Sequence, residues 1–176
     1  VNGGTLDELD FSAASGQITF KILATGAIEV ERVATGVGAI NDKVTLNAPT
    51  SGTTPLIEII RGGKSKSDTL DLSALSSDLE FKIKASGEIE VKAGSTTIIK
   101  AYKIDSLIGG SKKNTYSLER KAKLAGSITG GGTTSPSSSH KNILVFEGAA
   151  KDTVRFTGKK AAKKYDGRTK RIKKGF

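Results

Sequence analysis

Cysteine, methionine and tryptophan are absent from these 176 residues, and histidine occurs once. Without cysteine there is no disulfide, thiolate metal site, iron–sulfur cluster or thiol nucleophile, and a single histidine argues against a histidine-based zinc site. Proline occurs three times and aromatics make up 5% of the chain. No apolar run approaches the roughly 18 residues that cross a bilayer as a helix. The chain begins at Val1 with no basic-then-apolar leader, which leads us to expect a processed chain or a fragment. What is plentiful is glycine, 21 residues, together with serine and threonine. That mixture favours many short strands and turns over a helical bundle.

The formal net charge of +10 is concentrated in one place. Residues 158–176, GKKAAKKYDGRTKRIKKGF, hold nine basic residues and one acidic residue, so this tail alone carries +8. The remaining 157 residues hold 19 basic and 17 acidic, and are close to neutral. A block of that kind is expected to be solvated and to bind polyanions by electrostatics.

An internal repeat is the strongest signal. Residues 9–30 read LDFSAASGQITFKILATGAIEV and residues 70–91 read LDLSALSSDLEFKIKASGEIEV; at an offset of 61, without a gap, 13 of 22 positions match. Each copy opens on a glycine pair, Gly3-Gly4 or Gly62-Gly63, and Gly109-Gly110 and Gly130-Gly131-Gly132 continue the series. Between them the pattern has period two. Leu79, Phe81 and Ile83 face one way and Glu80, Lys82 and Lys84 the other; Ser86-Gly87 turns, and Ile89 and Val91 then alternate with Glu88, Glu90 and Lys92. Thr97-Ile98-Ile99 and Ile104 through Ile108 read as further short strands. Only Ala122–Leu124 and Lys159–Tyr165 tolerate a helix. The expected fold is all-β: a parallel β-solenoid, of the β-helix or β-roll kind, built from tandem repeats. A β-sandwich is the alternative. The segments are a first repeat unit at 1–61, a second at 62–108, a degenerate third at 109–157 interrupted by a Ser/Thr/Pro loop at 133–139, and the basic tail.

The stretch GGKSKSDTLDLSALSSDLEFKIKASGEIEV, followed by YKIDSLIGGSKKNTYSLERKAKLAGSITGGG, resembles repeats of very large secreted bacterial exoproteins and adhesins. In those, glycine-rich RTX-type calcium nonapeptides alternate with strand-rich segments. The resemblance covers residues 60–132, reaches 3–30 through the internal repeat, and leaves out the tail. It implies an extracellular or cell-surface location and calcium held by loop carbonyls and Asp carboxylates. This sequence departs from that pattern. Lys112 stands where the third glycine belongs, Asn114 where an Asp belongs, and in the loop after Gly62 the spacing is stretched and Lys64 and Lys66 intrude. Calcium is therefore expected to be lost, with Asp68, Asp71 and Asn114 as residual candidates and lysine ammonium groups as the substitute charge.

Other motifs read as ordinary. Gly62-Gly63-Lys64-Ser65 follows the strand-like LIEII, but Glu58 stands where a phosphate loop needs its first glycine and no helix pattern follows. Gly36-Val37-Gly38-Ala39-Ile40-Asn41 lacks the last glycine of a dinucleotide fingerprint. The carboxylate pairs Asp7/Asp10 and Asp68/Asp71 could perform acid–base work on a glycan. They recur because the unit recurs, however, and are better explained as turn caps. His140 follows a serine run with no partner placed by spacing. Phe11, Phe20, Phe81, Phe146 and Phe156 fall on apolar faces and are expected in the core.

These observations point to a non-enzymatic structural or adhesive module that self-associates, forms filaments or contacts neighbouring surface proteins. Its tail residues Lys159, Lys160, Lys163, Lys164, Arg168, Lys170, Arg171, Lys173 and Lys174 would contact an anionic polysaccharide, a lipid or an acidic subunit. Tyr165 among those cations could stack on a base or sugar, but specific nucleic-acid recognition is disfavoured. A polyanion-binding accessory subunit of a larger complex is the alternative, and a glycan-active enzyme the third reading.

Overall fold

The computed structural model describes residues 8–33, 42–46, 59–65, 67–130, 142–147 and 172–173; for 42–46 and 172–173 the backbone alone is described. Among these residues the chain is all-β, without a helix. In chain order the strands are β1 (Glu8–Asp10), β2 (Gln17–Ile22), β3 (Ile28–Val33), β4 (Asp42–Leu46) and β5 (Ile59–Arg61). Then come β6 (Thr69–Asp71), β7 (Leu79–Ile83), β8 (Glu88–Ala93), β9 (Thr96–Tyr102) and β10 (Ser106–Ile108). The last four are β11 (Asn114–Leu118), β12 (Ile128–Thr129), β13 (Ile143–Phe146) and β14 (Ile172–Lys173).

Two open, mixed sheets result. The large sheet runs β1-β5-β9-β8-β7-β11-β13-β14 and the small sheet β12-β10-β6-β2-β3-β4. Antiparallel pairing is confined to the hairpins β2-β3-β4 and β7-β8-β9 and to β13-β14. Every other neighbour is parallel. The all-β expectation holds, and two open sheets around a shared core are compatible with the sandwich alternative.

Period two in the sequence becomes burial in the structure. Leu79, Phe81 and Ile83 are buried while Glu80 and Lys82 are exposed, and Ile89 and Val91 repeat this on β8. The core is one cluster that draws Ile18, Phe20, Ile22, Leu70 and Leu107 from the small sheet and Ile60, Phe81, Val91, Ile99, Tyr116 and Leu144 from the large. Full burial of a Leu, Ile or Phe contributes about 1.5–3 kcal/mol relative to exposure, so such a cluster supplies the main favourable term. Phe81 and Tyr116 lie opposite each other in parallel register and stack with centroids 4.5 Å apart. The Tyr116 hydroxyl then crosses the core to donate to the Thr129 carbonyl of the small sheet at 3.0 Å. Phe20 and Phe146 are buried and Phe11 packs edge-on against Phe20 at 5.6 Å, as expected; Phe156 lies outside the described residues.

Some expectations need correction. Only Ser106–Ile108 of the segment from Ile104 is strand. The larger surprise concerns the duplicated units. Their strands correspond one to one, β1-β2-β3 with β6-β7-β8, and both turn through a positive-φ glycine at the same place, Gly26 (83°) and Gly87 (87°). Yet β1 lies in the large sheet and β6 in the small one, and the hairpins β2-β3-β4 and β7-β8-β9 occupy opposite sheets. The repeat is an alternation between the two sheets.

Candidate functional site: the glycine corners and the outer sheet face

Two glycine pairs, Gly62-Gly63 and Gly109-Gly110, each end a short strand and start the passage to the other sheet. The first pair follows β5 and the second follows β10. Backbone approaches here are too close for a side chain. A Cβ on Gly62 would run into the Lys103 carbonyl, and one on Gly109 into the Tyr116 hydroxyl and the Asn114 amide. The second glycine of each pair docks on the preceding unit. A Cβ on Gly63 would lie 2.8 Å from the Ala14 carbonyl, and one on Gly110 would lie 2.9 Å from the Leu75 carbonyl. The next residue makes the joint itself: Lys64 N–H donates to Ala14 O at 2.9 Å and Ser111 N–H to Leu75 O at 2.8 Å. Ala14 and Leu75 are equivalent positions of the duplicated unit, so the same contact is made twice.

A buried Asp or Asn completes each corner. At the first, the Asp68 Oδ2 accepts from Gly63 N–H (2.6 Å) and Oδ1 from Ile18 N–H (2.9 Å). The Asp68 N–H in turn donates to the Asp105 carboxylate at 3.0 Å. At the second, the Asn114 Oδ1 accepts from Gly110 N–H at 2.9 Å. Its Nδ2, which carries two hydrogens, lies within hydrogen-bonding distance of the carbonyls of Gly110 (2.9 Å), Lys112 (2.9 Å) and Gly130 (2.5 Å) and of Asn142 Oδ1 (3.0 Å).

The difference between Asp and Asn follows from loop length. Asp68 stands five positions after Gly63, and Asn114 four positions after Gly110. In the shorter loop the backbone carbonyl of Lys113 takes the amide of Leu79, at 3.0 Å, the counterpart of Ile18. The side chain at 114 therefore needs one acceptor and faces carbonyls with its other end, which suits an amide; the side chain at 68 must accept twice, which suits a carboxylate. Burial raises the Asp68 carboxyl above its ordinary value, opposed by the amides of Ile18 and Gly63 and reinforced by Asp105.

The calcium candidates can now be placed. The Asp68 oxygens are engaged by backbone amides, and where carbonyls converge at the second corner the polar hydrogens come from Asn114. Lys64, Lys112 and Lys113 are exposed to solvent, which corrects the expectation that lysine ammonium groups substitute for the cation. Asp71 is half-buried and its Oδ1 accepts from Ser73 N–H at 2.8 Å, matching Asp10 and Ser12 at 2.7 Å. These two are turn caps, as expected; Asp68 is a cross-strand clamp, a role the capping argument missed. The signal for it was the glycine pair a few residues ahead of an Asp or Asn in both loops.

The outer face of the large sheet carries a chain of paired charges. Arg61 pairs with Glu8 and lies over the Tyr102 ring at 4.4 Å. The Tyr102 hydroxyl donates to Glu88 Oε2 at 3.0 Å, and Lys84 bridges Glu88 (2.6 Å) and Glu90 (3.6 Å). The Lys84 hydrogen bond is the main cause that holds Glu88 below the ordinary glutamate value, and Glu88 in turn raises Lys84. A shallow groove of about 390 Å³ crosses this face, with Glu80, Glu90 and Glu147 against Lys82 and Lys92. Charges of both signs alternate along it, so it offers no single-sign field to an ionic ligand.

Of the tail residues, Lys173 lies on β14, opposite Ile143 of β13. Lys159, Lys160, Lys163, Lys164, Tyr165, Arg168, Lys170, Arg171 and Lys174 lie outside the described residues, as do Asp7, Lys66, the 133–139 loop and His140. No family model, curated protein or solved structure matches this chain.

Proposed function

We propose that this chain is a non-enzymatic structural module of an extracellular or cell-surface assembly, of the adhesin or exoprotein kind, folded as a short β-solenoid of stackable units. The observation that carries the reading is the repeated joint: Lys64 on Ala14 and Ser111 on Leu75, each behind a glycine pair and a buried Asp or Asn. A unit that binds its successor by the same bonds each time forms a stack of any length, which is the physical basis of a spacer. Two to three hydrogen bonds per joint, at about 1 kcal/mol net each, add to the continuous core and give the stack direction.

In this reading the tail holds the module to an anionic polysaccharide, a lipid surface or an acidic subunit. A second reading, a polyanion-binding accessory subunit, draws on one observation: Ile172–Lys173 pairs with β13, which puts Lys173 of the basic tail on the last strand of the large sheet. Electron microscopy of the full chain separates the two. Rods, filaments or lateral arrays support the structural module. Monodisperse particles that bind immobilised heparin and release steeply with salt would favour the accessory subunit instead.

A further inference from the structure

The two hairpins are treated differently at their outer strands. In the large sheet β9, the last strand of the β7-β8-β9 hairpin, is covered by β5, which is covered in turn by β1. In the small sheet β4 is the counterpart of β9. Thr45 and Leu46 pair with Glu29 and Ile28, as Lys100 and Ala101 pair with Glu90 and Ile89. Among the described residues β4 has no strand on its far side.

The opposite edge of the same sheet ends in β12, which has the character of β5. Both immediately precede a glycine run, and Ile128 lies opposite Leu107 of β10 as Ile60 lies opposite Leu9 of β1. The hydrogen bonds show which way β12 faces. Leu107 and Gly109 donate to the carbonyls of Ser127 and Thr129, so the intervening N–H and C=O of Ile128 point away from β10, toward a side on which no strand lies among the described residues. In β5, Phe11 N–H takes the Arg61 carbonyl on one side, and the groups of Ile60 face β9. The large sheet ends at β1 on one side and at the antiparallel β14 on the other. An unpaired edge is a template for another chain.

Resting on the structural-module reading, we infer that a second copy of this chain docks its β12 on β4, parallel, so that β10-β12-β4 across two molecules reproduces β1-β5-β9 within one. The register follows from the internal pair Ile59↔Lys100 and Ile60↔Ala101: Ser127 of one copy faces Thr45 of the other, and Ile128 faces Leu46. The contact is heterologous, with a different surface on each partner, and it propagates head to tail.

The absence of cysteine makes a clean test. Ser127 is exposed, and the two positions lie at opposite edges of a six-stranded sheet, about 24 Å apart within one molecule at ~4.8 Å per strand. A short bismaleimide therefore joins them only between molecules. Full-length Thr45→Cys and Ser127→Cys variants, mixed, are expected to give a cross-linked dimer as the sole product; the double variant is expected to give a ladder of dimer, trimer and higher species, and each single variant alone no product. Circular dichroism melts confirm that the variants fold. Sedimentation velocity on the unmodified chain separates the two ways of failing. Assemblies without a Thr45–Ser127 cross-link overturn this edge pairing while leaving the structural module standing. A monomer at all concentrations overturns both. Cross-linking of Thr45→Cys alone indicates symmetric β4–β4 pairing and also overturns the inference.

Discussion

Exchanging the side-chain chemistry of the two corners tests the account of why one holds Asp and the other Asn. In Asp68→Asn the shape is kept, but an amide brings one acceptor oxygen and one NH2 group to a place where two backbone N–H groups converge, from Gly63 at 2.6 Å and Ile18 at 2.9 Å. Either rotamer sets donor against donor and leaves one buried amide without an acceptor. That costs about 1–3 kcal/mol. Relief of the carboxylate's desolvation works the other way, and the balance predicts a net loss of about 2 kcal/mol, a fall in Tm of roughly 4–16 °C for an ordered region of this size. The pH dependence has a definite sign. Since burial raises the folded-state value of Asp68, the wild type loses stability as pH rises from the ordinary carboxylate value through the raised one. The variant lacks that loss, so its deficit is larger on the acid side of this window than at neutral pH. Urea titrations of both proteins at several pH values, followed by circular dichroism, give the difference directly. A variant as stable as wild type throughout would refute the two-amide clamp. The reciprocal Asn114→Asp sets a buried carboxylate against the carbonyls of Gly110, Lys112 and Gly130. A loss of about 3–5 kcal/mol is expected at neutral pH, relieved on acidification as the carboxyl protonates.

Other substitutions follow from the same geometry. Gly109→Ala drives a methyl into the Tyr116 hydroxyl and is expected to destabilise more than Tyr116→Phe, which loses one hydrogen bond of about 1 kcal/mol; paired thermal melts give the order. Phe81→Ala removes the ring stacked on Tyr116 and should cost about 3–5 kcal/mol in urea titration. On the outer face, Lys84→Ala should cost less than about 1 kcal/mol. Because Glu88 is held below its ordinary value mainly by Lys84, the pair's contribution is present above the ordinary glutamate value and fades as pH falls through the depressed one, so wild type and Lys84→Ala should converge in stability in acid.

The strands were largely legible in the sequence because one face of each is buried, and alternation leaves a mark at every second residue. Leu79, Phe81 and Ile83 against Glu80 and Lys82 is such a mark. The 61-residue offset was equally visible, but the sheet each copy joins was not. That is decided by cross-strand partners far away in sequence, and the apolar face of β2 looks the same as that of β7. At the corners, period and composition located the loops and the Asp10 and Asp71 caps, which are local bonds over two residues. The role of Asp68 is set by the amide of Ile18, 50 residues away, and that of Asn114 by one residue of loop length. The extra residue is visible in the sequence, but the partners it brings to the side chain are not. The lysines in these loops invited an electrostatic reading because charge is visible in sequence and direction is not; Lys64, Lys112 and Lys113 are exposed to water.

The alternation of the two duplicated units between sheets has a consequence for longer arrays. A β2-β3-β4 hairpin decorates the small sheet and a β7-β8-β9 hairpin the large one. A chain lengthened by one unit of the same kind would return its hairpin to the side of the first, and a chain lengthened by two would place it opposite. Parity, then, sets presentation: adding or deleting a single unit moves whatever the outermost hairpin displays to the other side of the molecule, while changes by pairs alter reach alone.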